Sequence, residues 1–338
     1  MPVLAPASSR RRRCRLLCGT VGLAAFVTAG AALVSGQRAP AGDALVLDDL
    51  PLLVADDSGL ASRTGVVRTF HAARTRKAPI IEADRPWEGD RVYIYGSVIR
   101  DERTGELHMW YGTRPRPEAP GGHSGEVPGL RGDGFDLVLY ATSRDGVTWH
   151  KPALGLYAFR GSKENNIVFD LHSPSVLFDP ADPDPARRYK MLGTFRGNYY
   201  AAHSADGIRW QDYPRNPVLD KSDTITMTRD PRTGEYLAYH KRPATVRGFP
   251  RRVVWLARSR DMQTWTEPEL VFAPDEVDDA WTHAPVERTE VYNMAVYPHA
   301  SGFIGLPTIF RVTRQLPREQ VAPGQSPVDG PIDVELAT

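Results

Sequence analysis

A nine-residue turn segment that occurs three times constrains the fold of this chain more than any other feature. It reads ATSRDGVTW over 141–149, AHSADGIRW over 202–210 and ARSRDMQTW over 257–265. Ser and Asp can accept hydrogen bonds from the backbone N–H groups of such a turn, and Gly permits positive φ. The Trp that ends each copy recurs in register at 149, 210 and 265, which predicts packing between sheets rather than ligand binding. The repeats therefore predict three similar hairpins.

A second turn motif precedes each copy of the first. RDERTGEL over 100–107 is nearly repeated as RDPRTGEY over 229–236, and Asp179 to Lys190 is a longer version. An Asp, a turn with Gly and then a strand is hairpin chemistry. Because the motif recurs, we interpret Asp230 as a turn residue.

The two motifs together define a unit of four strands, which is one blade of a β-propeller. The fold class predicted is all-β with very little helix. The blades are predicted at about 91–165, 166–220 and 221–273, with an incomplete fourth at 290–338. A lead-in at 37–90 precedes them, with two short strands predicted at 45–49 and 66–71. Since Ala337-Thr338 matches the start of the next turn motif, we expect the natural product to extend by one or two blades.

The first 36 residues predict a targeting segment. Arg10 to Arg13 and Arg15 form a basic head, and Leu16 to Val34 is apolar without a charge. This pattern is typical of a signal peptide or of an uncleaved signal anchor. We expect a secreted protein, or one anchored to the outer face of the cell membrane. Both cysteines, Cys14 and Cys18, lie in this segment, which predicts a folded part without disulfides.

Net charge gives no reason to expect nucleic-acid binding. Without the five arginines of the leader, 37 basic residues face 41 acidic ones, or about −4. We expect a monomer.

The turn motifs, together with PWEG over 86–89, ENNIV over 164–168 and Asp179-Pro180, resemble the five-bladed propeller glycosidases, the clan of β-xylosidases, arabinanases and invertases. The resemblance covers about residues 45–338 and implies a five-bladed propeller of which about three and a half blades are present. It also implies hydrolysis of glycosidic bonds by two carboxyl groups that share one cavity. The chain lacks the invertase signature WMNDPNG and the acid motif ECP.

The resemblance implies catalytic carboxylates at the starts of inner strands on three blades. Glu88, Asp223 and Glu290 occupy such positions here. By analogy Glu88 is the general base or nucleophile, Glu290 the general acid, and Asp223 the residue that tunes the acid or orients the sugar. The alternative is that all three are solvated or ion-paired loop residues.

Further residues near the predicted loops are candidates for substrate binding, because aromatic rings stack on sugar faces. They are Trp87, His172, Trp281, His283 and Tyr292.

The sequence predicts no cofactor and no metal centre. The nine histidines show no zinc-ligand spacing, and no phosphate-binding glycine loop occurs; a structural Ca²⁺ in the funnel stays an alternative. The leading hypothesis is an exported protein with the acid/base chemistry of a glycoside hydrolase, acting on or binding a polysaccharide or oligosaccharide. The alternatives are a carbohydrate-binding propeller without turnover and a glycoside phosphorylase, whose phosphate would need basic residues such as Lys241-Arg242 or Arg251-Arg252.

Overall fold

The computed structural model describes residues 62–69, 71, 76–114, 127–131, 136–220, 222–299, 302–322 and 325–337. Almost all regular structure in these residues is β-strand, with two single-turn 3₁₀ helices at Pro185–Arg187 and Arg318–Gln320. The predicted leader lies outside the described residues, as does most of the lead-in.

Blade 1 is a sheet whose inner edge is broken in two. Two short strands, β1 (Val92–Tyr93) and β2 (Val98–Arg100), both pair with β3 (Leu107–Thr113). Outside β3 lie β4 (Leu137–Ser143) and β5 (Ile167–Phe169). The outer strand thus extends past the blade limit predicted at 165.

Blades 2 and 3 each have the predicted four antiparallel strands in sequential order. Blade 2 contains β6 (His172–Phe178), β7 (Tyr189–Phe195), β8 (Asn198–Ser204) and β9 (Gln211–Asp212). Blade 3 contains β10 (Ile225–Arg229), β11 (Tyr236–Val246), β12 (Phe249–Ser259) and β13 (Glu269–Phe272).

Blade 4 has three strands within the described residues. They are β14 (Arg288–His299), β15 (Gly302–Val312) and β18 (Ile332–Val334). Between β15 and β18, a two-stranded ribbon pairs β16 (Arg314–Gln315) with β17 (Val328–Asp329). The ribbon closes the Pro-rich loop that was predicted over 317–327. The predicted fold, an incomplete all-β propeller, is confirmed.

The inner strands of the four blades lie side by side around one axis. The Val176 N–H donates to Ser97 Oγ at 2.8 Å, and the Met227 N–H donates to Ser175 Oγ at 2.9 Å. Thr226 Oγ1 donates to the Met294 carbonyl at 2.5 Å. Together the inner strands enclose an axial cavity of about 530 Å³.

The hydrophobic core lies between neighbouring blades. Trp110 of blade 1 packs with Val176 and Met191 of blade 2, and its indole N–H donates to the Gly207 carbonyl at 2.7 Å. Leu237 of blade 3 packs in the same way with blade 4. The apolar surface buried between the facing blades stabilises the fold by roughly 25 cal/mol for each Å² removed from water.

The three repeated turns have the predicted hydrogen bonds. In the first, Ser143 Oγ accepts from the Gly146 N–H at 2.9 Å, and Asp145 Oδ1 accepts from the Thr148 N–H at 2.7 Å. The second and third copies repeat these bonds within 0.1 Å. The third copy holds Met262 at φ 66° where the others have Gly.

The second turn motif is also structural. Asp101 and Asp230 each accept the backbone N–H two residues ahead, at 2.8 and 2.9 Å. Asp230 is buried and also pairs with Arg232. It is therefore a turn residue, as predicted.

The two predicted lead-in strands, at 45–49 and 66–71, are not seen as strands in the described residues. The segment 45–49 lies outside the described residues, and the described part of 66–71 forms no strand. Val66 and Val67 are exposed, because no sheet edge covers them. No helix in the described ranges has the length and apolar character needed to cross a membrane.

Candidate functional site

Aromatic and charged side chains gather where the inner strands begin. We call this end of the axis the mouth and define it by Tyr93, Tyr95, His172, Asp223 and Tyr292. Each blade contributes at least one of these residues. Two predicted binding residues and one predicted catalytic residue therefore lie at one end of the same axis.

Blades 1 and 2 meet at the mouth through His172. Its Nδ1 lies 2.9 Å from Tyr93 Oη and 3.0 Å from Asp136 Oδ1. Arg114 holds the other oxygen of Asp136 at 3.4 Å. Burial and the charge of Asp136 raise the pKa of Tyr93, which keeps its hydroxyl protonated as a donor.

Blades 3 and 4 meet at the mouth through Lys241. Its Nζ lies 2.6 Å from Asp223 Oδ1 and 4.2 Å from the centre of the Tyr292 ring. Burial alone would raise the pKa of Asp223, but the charge and hydrogen bond of Lys241 outweigh it and hold the pKa below its usual value. Asp223 is therefore a carboxylate at neutral pH, and 51% of its side chain is exposed.

Tyr95 and Tyr292 connect blade 1 to blade 4. Their rings are stacked with centres 6.5 Å apart, and their hydroxyl oxygens are 3.4 Å apart. Burial, followed by the Tyr292 hydroxyl and the charge of Asp223, raises the pKa of Tyr95.

A cavity of about 650 Å³ opens beside these two tyrosines, between the inner strand of blade 1 and blade 4. Phe310 and Arg252 also line it, with the Arg252 guanidinium carbon 5.6 Å from the Tyr292 ring centre. Its size suits a sugar unit or a short oligosaccharide.

Local backbone distortions aim the mouth side chains. Tyr292 lies in a bulge of β14, between Val291 and Asn293, which pair in shifted register with β15. Ser173, next to His172, has φ 50° and lies in a bulge of β6. Its side chain is fully buried, and among the residues that the structure describes its hydroxyl has no hydrogen-bond partner. Such left-handed residues cost about 1–3 kcal/mol and cluster at functional sites.

Glu290 lies behind the mouth and contacts two arginines. Its Oε2 pairs with Arg252 Nη1 at 2.6 Å and its Oε1 with Arg288 Nε at 2.8 Å. The side chain is buried. Both oxygens of the predicted general acid are therefore already engaged.

Glu88 lies in a buried turn of blade 1. Its Oε2 accepts the backbone N–H groups of Asp84 and Arg85 at 2.8 and 2.9 Å, and its Oε1 accepts from Tyr111 at 2.7 Å and Lys151 at 2.6 Å. No part of it is exposed. The structure thus does not bring Glu88 together with Asp223 at the mouth, because these donors hold it inside blade 1.

The remaining predicted binding residues lie apart from the mouth. The Trp87 indole N–H donates to Asn166 Oδ1 at 2.7 Å, and its ring packs against the core of blade 1. The Trp281 indole N–H donates to Thr289 Oγ1 at 2.9 Å. His283 is exposed, and its backbone N–H donates to Glu287. Their roles in binding stay predictions.

The sequence analysis missed Tyr93, Tyr95 and Asp136, and it named Lys241 and Arg252 only as candidates for holding the phosphate of a phosphorylase. Tyr93 ends β1 and Tyr95 follows it in the break before β2, and their spacing of two residues is a signal that both side chains of an extended segment face one side. Lys241 and Arg252 come to the mouth only through the pairing register of blade 3. Asp136 precedes β4, the third strand of blade 1, whereas the prediction considered only carboxylates before inner strands. Among the described residues, no group of three or more His, Cys, Asp or Glu side chains could hold a metal ion.

No protein-family model matches the chain, and no curated protein matches it. Similar solved structures include an N-acetylgalactosamine deacetylase from F. plautii in complex with blood group B trisaccharide, with 14% identity, a TM-score of 0.43 and coverage of 71% of this chain and 70% of that one. An endo-arabinase from Bacteroides thetaiotaomicron has 14% identity, a TM-score of 0.42 and coverage of 71% and 72%. A β-1,2-mannobiose phosphorylase from Listeria innocua, with bound β-1,2-mannobiose, has 14% identity, a TM-score of 0.42 and coverage of 69% and 74%.

The propeller assignment rests on the strand order of the four sheets rather than on these scores. The predicted resemblance was to arabinanases and related propeller glycosidases, and the similar solved structures include an endo-arabinase.

Proposed function

We propose that the mouth binds a carbohydrate and that Asp223 takes part in hydrolysis of a glycosidic bond there. The observation that carries the proposal is the exposed Asp223 carboxylate, which pairs with Lys241, whose Nζ lies over the Tyr292 ring. Tyr292 stacks on Tyr95, and both rings line the 650 Å³ cavity. Sugar rings present C–H groups that stack on aromatic faces and hydroxyls that bind carboxylates and ammonium groups.

Each mouth residue has a role in this proposal. Tyr95 and Tyr292 stack on the sugar, while Lys241 and His172 donate to its hydroxyls. Asp223, ionised through Lys241, acts as base, as nucleophile or as the group that stabilises positive charge at the sugar ring. Asp136 is the second mouth carboxylate and supports His172. The first candidates, Glu88 and Glu290, hold a turn and two arginines respectively.

Binding is tested by calorimetric titration with neutral xylo-, arabino- and fructo-oligosaccharides. We expect one series to bind, and Tyr292→Ala to weaken that binding by up to about tenfold, since one stacked aromatic contributes about 0.5–1.5 kcal/mol beyond its buried area. The matched control is Tyr297→Ala, on the same strand but at the other end of the axis. Equal losses in both variants would contradict a site at the mouth.

Turnover is tested with aryl xylosides, arabinofuranosides and fructans. We expect Asp223→Asn to lower kcat by at least 100-fold while binding is retained, and Glu276→Gln, an exposed carboxylate on the surface, to leave kcat unchanged. Binding without hydrolysis of any substrate would instead favour the carbohydrate-binding propeller.

A glycoside phosphorylase is the second candidate. Lys241 and Arg252 both approach the Tyr292 ring, and Arg252 lines the cavity, so two cations lie near the place where phosphate would attack. Release of a sugar phosphate that depends on added inorganic phosphate would favour this activity over hydrolysis.

A further inference from the structure

A second, smaller cavity lies beside the mouth and is rich in arginine. It has a volume of about 380 Å³ and lies between the start of β14, the start of β12 and the ribbon β16–β17. Arg251, Arg252, Arg288 and Arg318 line it, with Glu290 as the one carboxylate among its lining residues.

Charge pairing leaves this cavity positive. Asp279 pairs with Arg251 at 2.8 Å and neutralises it. Glu290 neutralises one of the other three, since it pairs with both Arg252 and Arg288. About two positive charges remain at the cavity wall.

Guanidinium donors remain available in the cavity. Arg252 uses Nη1 for Glu290, and among the described residues its Nε and Nη2 have no acceptor. Arg288 uses Nε and Nη1, which leaves its Nη2. Arg318 is exposed and makes no ion pair with a described residue. Guanidinium groups bind carboxylate and phosphate oxygens through paired, charge-assisted hydrogen bonds.

We propose that Arg252, Arg288 and Arg318 form a binding site for a small oxyanion, which we call the oxyanion pocket. Its ligand is a carboxylate or a phosphate. Glu290 holds Arg252 and Arg288 in place at the floor, and the Gln315 side chain, which accepts from Arg288 Nη1 at 3.1 Å, holds the latter from the ribbon.

The oxyanion pocket adjoins the mouth because Arg252 and Val328 line both cavities. If the proposed function holds, a glycan bound at Tyr292 can place an acidic substituent in this pocket, so the substrate class is an acidic sugar or a sugar with phosphate as co-substrate. This extension rests on the proposed function, whereas anion binding itself does not.

The test is calorimetric titration of the full chain at low ionic strength with sodium glucuronate, with inorganic phosphate and with glucose. We expect saturable binding of at least one anion and none of glucose. Arg318→Gln should weaken anion binding about tenfold through the loss of one charge-assisted contact. Arg314→Gln, an exposed arginine of the same ribbon outside the pocket lining, should have no effect. The anion that binds more tightly, glucuronate or phosphate, identifies the ligand group as a carboxylate or a phosphate.

A second variant gives a change of opposite sign. Glu290→Gln removes the negative charge at the floor and releases donors of Arg252 and Arg288, so we expect anion binding to strengthen at least threefold, with folding checked by circular dichroism. No saturable anion binding, or equal losses in Arg318→Gln and Arg314→Gln, would overturn the proposal. Anion binding without any neutral glycan binding would overturn only the proposed function, and the reverse would overturn only the oxyanion pocket.

Discussion

The repeated turns have the same contacts in each of three blades, whereas the mouth has different contacts in each blade. The three Ser–Asp turns reproduce the same bonds to within 0.1 Å on three blades. At the mouth no contact recurs: His172 meets Tyr93 and Asp136, whereas Lys241 meets Asp223 and Tyr292. The turns repeat because every blade has to fold in the same way. The mouth departs from the repeat because a ligand does not have the symmetry of the blades.

The largest expected effect tests whether Glu88 belongs to the scaffold. Glu88→Gln breaks the ion pair between the fully buried Glu88 and Lys151. Because Lys151 keeps Asp84 as a partner, we expect the free energy of unfolding to fall by about 3 kcal/mol. Urea unfolding measures this, with exposed Glu82→Gln as the control. Unchanged stability together with lost hydrolysis would instead return Glu88 to its predicted catalytic role.

A second test uses pH to separate the two regions. Burial, and then the charge of Arg242, lowers the pKa of His240 from 6.5 to about 4. The unfolded chain takes up this proton below pH 6.5 and the folded chain only near pH 4, so stability falls as the pH falls through that window. Urea unfolding should show a loss of about 3 kcal/mol between pH 7 and pH 4 from this residue.

His240 is the sequence neighbour of Lys241, so its protonation affects the region of the mouth. The turn residue Asp145 differs, because hydrogen bonds from the Thr148 and Val147 N–H groups hold its pKa at about 2. The turns should therefore stay intact across the same pH window. We expect the His240→Leu variant to lack the fall of about 3 kcal/mol in the free energy of unfolding that His240 causes between pH 7 and pH 4 in the wild type. An identical pH dependence in the variant would refute the assignment.

The turns themselves predict three equal effects. Ser143→Ala, Ser204→Ala and Ser259→Ala each remove an acceptor for two backbone N–H groups. We expect each to lower the free energy of unfolding by about 2 kcal/mol, with ligand binding unchanged in all three. A loss of binding in one copy alone would mean that this turn also serves the site.

The smallest expected effect has the opposite sign. Ser173→Gly relieves a left-handed φ of 50° and removes a buried hydroxyl without a partner, so we expect stability to rise by about 1 kcal/mol. Because the bulge also aims His172, glycan binding at the mouth should weaken. Ser173→Ala keeps the strained backbone and should keep binding. Stronger or unchanged binding in Ser173→Gly would show that the strain serves no function.

The sequence analysis predicted the fold well because turn chemistry is local. Ser, Asp, Gly and Trp act on neighbours within about six residues, so spacing alone identifies the hairpins and the strand order within a blade. The outer strand of blade 1 was placed too early because it follows its turn after a long excursion, where no local pattern marks the register.

The mouth was predicted only in part because it is assembled by long-range contacts. Asp223, His172 and Tyr292 were found since they lie at the starts of inner strands. Lys241 and Arg252 were candidates only for phosphate binding, because they lie within long strands of blade 3 and the register of β11 and β12 brings them to Tyr292. Glu88 satisfied the positional rule, but four donors from its own blade determine where its carboxylate lies.

The central claim is that function lies at the mouth, where the repeat is broken. A crystal structure of the protein with the oligosaccharide that binds best tests it most directly. We predict a sugar ring stacked within about 4 Å of the Tyr292 or Tyr95 ring, with a hydroxyl bonded to Asp223. A sugar bound instead at the Ser–Asp turns or on an outer strand, with the mouth empty, would contradict the claim.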